Sequence, residues 1–205
     1  MADDRPPFRA DQVGSLLRPA ELKTARQAHA MGEITVDALS EVEDRLIRAA
    51  VKMQEDAGMR SVTDGDFRRT SWSGDFLGAI GGVKQAPPTQ SSDVDDTPIG
   101  GVVKDWHPPT PLTVDKLRWP GGGIQRPSFE FLNEVTQHTA KVCIPSLSML
   151  HFRGGRGGVD EKAYPDMEEF FFDLMAVWRA EINGLGRAGC KYVQLDDTNL
   201  AYLCD

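Results

Sequence analysis

The longest regular pattern of apolar positions lies between residues 36 and 57. Val36, Leu39, Val42, Leu46, Ala50, Met53 and Ala57 recur at intervals of three and four. That spacing predicts one helix with an apolar face. Thr35 is placed to cap it, and Gly58 ends it. A short strand, Arg60–Thr63, follows. A second long helix is predicted from about Asp166 to Arg187, with Phe171, Leu174, Trp178, Ile182 and Leu185 as its buried stripe. Gly189 stops it before a strand over 191–195. Two further strands are expected at Phe8–Val13 and Lys141–Ile144. Helices fill the gaps at 19–30 (Pro19 opening it as its first residue) and 128–138, and a short amphipathic piece covers 72–80. Pro145 and Ser146 end the third strand, with a helical turn from Leu147. Residues 199–205 read as another.

Strand and helix thus alternate four times. Connections this long imply parallel strands. The expected class is α/β, with about four βα units, half of a TIM (β/α)8 barrel; an open four-stranded sheet is the alternative. Residues 84–126 break the alternation. They are rich in proline, hold a polar stretch at 90–96 and end near Gly121-Gly122-Gly123. They read as an irregular insertion, with a strand returning over Ile99–Trp106. Gly154–Gly158 reads as a flexible loop.

Charge narrows the partners. The 205 residues carry a formal net charge of −8 and a pI near 5.0. Nucleic acid and anionic membrane are therefore poor partners. No apolar run reaches the ~20 residues of a membrane helix. Three cysteines without CxxC spacing, and a polar N-terminus, fit reduced thiols in the cytoplasm.

The candidate chemistry sits at strand ends. Val62-Thr63-Asp64-Gly65-Asp66-Phe67-Arg68-Arg69 places two carboxylates at the exit of one strand. Asp196 and Asp197 do the same for another. Ligands of α/β proteins bind at that edge. Alternation along an extended chain would point Asp64 and Asp66 the same way, with Arg68 or Arg69 supplying a cation. An Asp-Gly turn with surface ion pairs is the plainer reading. Asp197 also suits a helix N-cap, leaving Asp196 as the better site candidate. Gly14 and Ser15, after the first strand, can approach a carboxylate or phosphate closely. Arg18 can add a positive anchor or lie on the surface. The four histidines lack metal-ligand spacing. A metal would need distant residues, such as His151 with Cys143 or Cys204.

Four segments together resemble the cobalamin-independent methionine synthase family, its short single-barrel bacterial type: Val13–Pro19, Thr63–Arg69, Ile144–Arg153 and Gln194–Ala201. The resemblance implies a TIM barrel. It also implies a zinc-dependent S-methyltransferase that moves a methyl group from methyltetrahydrofolate to homocysteine or a related thiol. Gly14 and Ser15 would hold the amino acid's carboxylate, and Asp66 and Asp196 its ammonium; Asp66 stands where the family often has glutamate. The family's zinc ligands match no segment here and are expected beyond Asp205. Residues 1–205 would then be the N-terminal half of one barrel, the front of a protein of roughly 340–380 residues by analogy with barrels carrying insertions. A C-terminal half or a second chain would close it. An epoxide- or sulfonate-thiol alkyl transferase, a decarboxylase of the same superfamily, and a non-catalytic half-barrel binding or assembly module are the alternatives.

Overall fold

The computed structural model describes residues 10–86, 110–152 and 154–199. The first helix, α1, runs Ala20–Ala30, with Pro19 one position earlier than expected, at its N-cap. The second, α2, runs Val36–Asp56, and the Thr35 hydroxyl accepts from the Ala38 amide as the cap reading required. Its buried face differs from the expected one. Leu46, Ile47, Ala50 and Val51 are buried together with Glu43 and Gln54, while Val36 and Met53 are exposed. The stripe is turned by about one residue. The cause is polar: Gln54 hydrogen-bonds both the amide and the carbonyl of Thr63. It thereby joins the helix to the strand that follows.

Strand β1 (Ser61–Val62) is short and buried. Helix α3 (Gly74–Ala79) follows, and then an antiparallel ribbon of β2 (Gly81–Ala86) and β3 (Thr110–Arg118). The expected irregular insertion is therefore ordered at both ends. The polar tip at 90–96 and the strand expected at Ile99–Trp106 lie outside the described residues. Pro111 is compatible with β3 because a two-stranded ribbon leaves one side of each strand without a partner. The ribbon is tied to the body by the Tyr164 hydroxyl, which accepts from the Leu117 amide at 2.6 Å and donates to Asp173 at 2.7 Å.

Helix α4 (Arg126–Val135) leads to β4 (Thr139–Pro145), and a turn of helix α5 (Ser148–His151) follows it. Gly155–Gly158 forms a 3-10 turn instead of an open loop. Helix α6 (Met167–Arg187), capped by Asp166, precedes β5 (Tyr192–Asp196). Its buried face holds Phe170, Leu174, Val177, Trp178 and Leu185, whereas Phe171 and Ile182 are exposed.

The three strands β1, β4 and β5 form a parallel sheet in the order β1-β4-β5, so the α/β class holds. Residues 10–13 are not a strand. One parallel bridge forms just beyond the expected first strand, Ser15 to Gly65, with the Leu16 amide donating to the Gly65 carbonyl at 3.1 Å. The core lies between sheet and helices. Trp178 is its largest buried side chain; it packs on Phe76 and donates to the Pro145 carbonyl at 2.8 Å. A ring of that size, replaced by alanine, costs ~3–5 kcal/mol.

Two buried carboxylates or amines are matched by partners the sequence pattern hid. Glu181 is fully buried and caps α4 from outside. It accepts from the Ile124 and Gln125 amides at 2.9 and 2.8 Å and from the Trp119 indole at 2.7 Å. Three donors at a helix N-terminus offset the cost of burying a carboxylate. Lys141, on β4, is also fully buried. Its Nζ reaches both Asp11 oxygens at 3.1 Å and the Gln12 carbonyl.

Candidate functional site

Three segments meet at the C-terminal end of the sheet. The first holds Gly14 and Ser15. Gly14 has φ +118°, and a Cβ there would stand 2.4 Å from the Cys143 sulfur. Only glycine lets the 13–15 segment lie against β4. The Thr63 hydroxyl donates to the Gly14 carbonyl at 2.6 Å and fixes this approach. Ser15 is thereby held at the mouth, exposed.

The second segment is the turn 63–69. β1 has ended at Val62, so strand alternation does not apply to Asp64 and Asp66. Gly65 has φ +67°, and Asp66 has φ +59°, the one non-glycine residue in that region among those described. The Asp64 carboxylate accepts the Asp66 amide at 2.9 Å. Asp64 thus builds the turn, while Asp66 is turned inward. Aspartate tolerates the left-handed region better than most side chains, yet the conformation costs ~1 kcal/mol or more. Strain of this kind is stored where a side chain must be aimed.

Around Asp66 the charges are arranged closely. Its carboxylate meets the Arg69 guanidinium at 3.0 Å, with both side chains buried. Arg69 also donates to the Cys143 carbonyl at 2.7 Å, linking the turn to β4. Arg18 does not line the cavity. It donates to the backbone carbonyls of Arg69 and Asp66 at 3.0 and 3.4 Å. Arg26 grips the same turn through the carbonyls of Arg69 and Phe67, at 2.6 and 2.5 Å, and pairs with Glu43 at 3.3 Å. Two arginines therefore hold the backbone that presents Asp66.

The third segment is the end of β5. Gln194 donates to Asp196 at 2.5 Å and to the Val13 carbonyl at 3.0 Å, joining the last strand to the first segment. The Asp197 carboxylate accepts the Asn199 amide at 3.0 Å, as a turn-capping aspartate does; the helix expected after it lies almost wholly outside the described residues.

These segments enclose a cavity of about 350 Å3 lined by Ser15, Asp66, Trp72, Gln194, Asp196 and Thr198, among others. Ser15, Asp66 and Asp196, read from separate parts of the sequence, line it together. Gly14 lies behind it as a spacer. Trp72 was missed as a site residue because it was read only as the start of a short amphipathic piece; Gln194 was missed because a strand glutamine carries no signal of its own.

Burial raises the carboxyl of Asp66, against the lowering effect of Arg69; Asp64 and Asp196 raise it further. Burial also raises Asp196, and the Gln194 hydrogen bond opposes this. Carboxylates near water's edge, with raised affinity for a proton, are suited to receiving another cation such as an ammonium. The Cys143 thiol, beneath the cavity, is pushed up to about 12 by burial and then by Asp196. It is a neutral packing group rather than a thiolate.

Zinc needs three or four converging His, Cys or carboxylate donors. Among the described residues no group of three such side chains comes together. His151 packs against Phe170 and Phe171, with centroids 5.9 and 5.4 Å apart. Cys204 lies outside the described residues. The described residues by themselves therefore assemble no zinc site.

Fold and site together define an α/β protein with an acid-lined cavity at the strand ends, the arrangement of small-molecule enzymes. Comparison with known proteins gives that class relatives. YxjH of Bacillus subtilis, an uncharacterized protein, is 38% identical over 94% of this chain and 48% of its own length. YxjG of the same organism, also uncharacterized, is 34% identical over 95% of this chain and 49% of its own. The chain thus spans about half the length of these relatives. No family model matches. A Listeria monocytogenes structure described as a candidate vitamin-B12-independent methionine synthase superposes with a TM-score of 0.77 at 34% identity, over 97% of this chain and 54% of its own. A B12-independent methionine synthase from Shewanella sp. W3-18-1, in complex with selenomethionine, superposes at 0.61 over 80% of this chain and 44% of its own, at 17% identity. The second likeness is one of fold alone. The resemblance seen in the sequence therefore extends to the folded chain.

Proposed function

We propose that this chain forms the amino-acid-binding part of a methyltransferase related to B12-independent methionine synthases. The whole protein would be a TIM barrel to which residues 1–205 contribute the first half. The acceptor would be homocysteine or a related thiol, and the donor methyltetrahydrofolate. The supporting observation is the convergence of Ser15, Asp66 and Asp196 on one cavity. An α-amino acid carries an ammonium and a carboxylate on one carbon. Asp66 and Asp196 suit the first, and the Ser15 hydroxyl suits the second. Arg69 keeps Asp66 oriented without filling the cavity mouth.

In the overall reaction the thiol gives up its proton, its sulfur forms a bond to the methyl carbon, and the carbon–nitrogen bond of the folate breaks. The folate nitrogen takes up a proton. The described residues bind and orient the amino acid. Zinc, which would stabilise the thiolate in such a protein, belongs to the proposal for the whole protein; the described residues do not form its site. Among those residues no helix is long and apolar enough to cross a membrane. A cytoplasmic location is part of the proposal, consistent with the free thiols of Cys143 and Cys190.

The test is methyl transfer from methyltetrahydrofolate to homocysteine by the full-length protein, with and without complete metal removal. Methionine formation that ceases on chelation and returns with zinc supports the reading. Absence of transfer by the zinc-loaded protein overturns the donor and acceptor, and activity that survives chelation overturns the metal.

A further inference from the structure

The opposite end of the sheet carries a second, larger opening of about 520 Å3. It is lined where the chain enters each strand: Arg60 just before β1, Thr139 at the start of β4, and Lys191 just before β5. His138 stands beside Thr139. Asn133 and Gln137 add amide groups from the end of α4 and the turn after it.

The charge here runs against the rest of the molecule. The chain is acidic, at −8 overall, yet no carboxylate lines this opening. Arg26, Arg45, Lys52, Arg68, Arg69, Lys116, Arg118, Arg126, Lys141 and Arg156 all pair with acids. Arg60, His138 and Lys191 make no side-chain hydrogen bond or ion pair among the described residues. Packing does not account for them either, since all three are exposed. Three loops thus bring two fixed cations, an imidazole and two amides to one concave surface. Guanidinium and ammonium groups together suit phosphate oxygens. The volume lies in the range of small-molecule sites.

We infer that this opening binds a phosphorylated small molecule, at a site separate from the acid-lined cavity at the other end of the strands. The inference rests on the cleft and its unpaired cations and does not depend on the methyltransferase reading.

The experiment is calorimetric titration of the full-length protein at low salt with inorganic pyrophosphate and, separately, with ADP; adenosine is the uncharged control. Saturable binding of a phosphate-bearing probe, with Kd of about 0.1–1 mM or tighter, is expected. The double variant Arg60→Ala/Lys191→Ala should weaken it by about tenfold or more. Asp196→Asn, at the other end, should leave it unchanged. Tighter binding of ADP than of pyrophosphate would identify a nucleotide; equal binding would identify the phosphate groups alone. The substitutions are at exposed positions, and an unchanged melting temperature confirms the fold. No saturable heat with either probe at about 5 mM, or binding that the folded double variant retains in full, overturns the inference.

Discussion

The carboxylate of Asp66 lies 3.0 Å from the guanidinium of Arg69, and both are buried. The two residues are three apart in a turn whose geometry depends on a left-handed aspartate. This pair fixes which way the acid faces. Asp66→Asn keeps a side chain that tolerates the left-handed conformation and removes the charge. Binding of an amino acid should weaken by ~2 kcal/mol, about thirtyfold, if its ammonium meets Asp66 in a desolvated setting. The melting temperature should also fall, because Arg69 loses its ionic partner. Calorimetry read beside thermal unfolding separates the two effects.

The raised carboxyls give a pH dependence of binding. Burial favours their protonated forms, whereas an ammonium ligand favours the ionised forms. Affinity for the amino acid should therefore rise as pH increases through the carboxyl range, with uptake of ligand coupled to proton release. Asp66→Asn and Asp196→Asn should each flatten part of that rise. The check is calorimetry in buffers of different ionisation enthalpy.

Asp11 has the opposite sign. Burial alone would raise it, but hydrogen bonds from Tyr192 and Lys141, among others, hold it down to about 2. A carboxylate lowered in the folded state stabilises the protein above its ordinary value of 3.8, and that contribution is lost as pH falls toward 2. Asp11→Asn should make acid unfolding begin at higher pH, and it should leave Lys141 buried without its ion pair. Acid titration followed by circular dichroism reads the variant and the parent protein on one scale.

The close approach of Gly14 to Cys143 yields a stability prediction. Gly14→Ala adds a Cβ 2.4 Å from the sulfur, at φ +118°. The loss should be on the order of 2 kcal/mol or more, from overpacking and backbone strain together. Cys143→Ala in the same chain should return only part of it, since the strain remains. Denaturant unfolding of the three variants checks this; full recovery in the double variant would mean that the conformation at residue 14 carries no strain.

Glu181 is tested by shape. Glu181→Ala strands two amides and the Trp119 indole. Buried donors without partners cost ~1–3 kcal/mol each. The melting temperature should drop sharply, by the amount thermal unfolding of the Glu181→Ala variant reads against the parent.

The alternation of strands and helices was legible in the sequence because it rests on apolar periodicity and on glycine and proline stops. The faces were less so. In α2 the polar side chains Glu43 and Gln54 are buried because they bind Arg26 and the Thr63 backbone, and this turns the stripe by a residue. In α6 Phe171 counted as core although Phe170 takes that place. The ribbon arms escaped notice because proline and charge mask a two-stranded pattern that needs no full core behind it. Ser15, Asp66 and Asp196 were legible as strand-end polar groups beside glycine or apolar runs. Arg18 was legible as a candidate anchor, but its grip on the backbone of the 66–69 turn was not, and neither were Arg26 and Gln194, since their parts depend on contacts across more than forty residues.

The central claim is that the Ser15–Asp66–Asp196 cavity takes a zwitterionic amino acid. Its most direct test is calorimetric titration of the full-length protein with homocysteine, beside the variants Ser15→Ala, Asp66→Asn and Asp196→Asn. Saturable binding is predicted, with affinity reduced in all three variants and most in the two aspartate ones. Binding that all three folded variants retain unchanged, or no binding by the intact protein, would contradict it.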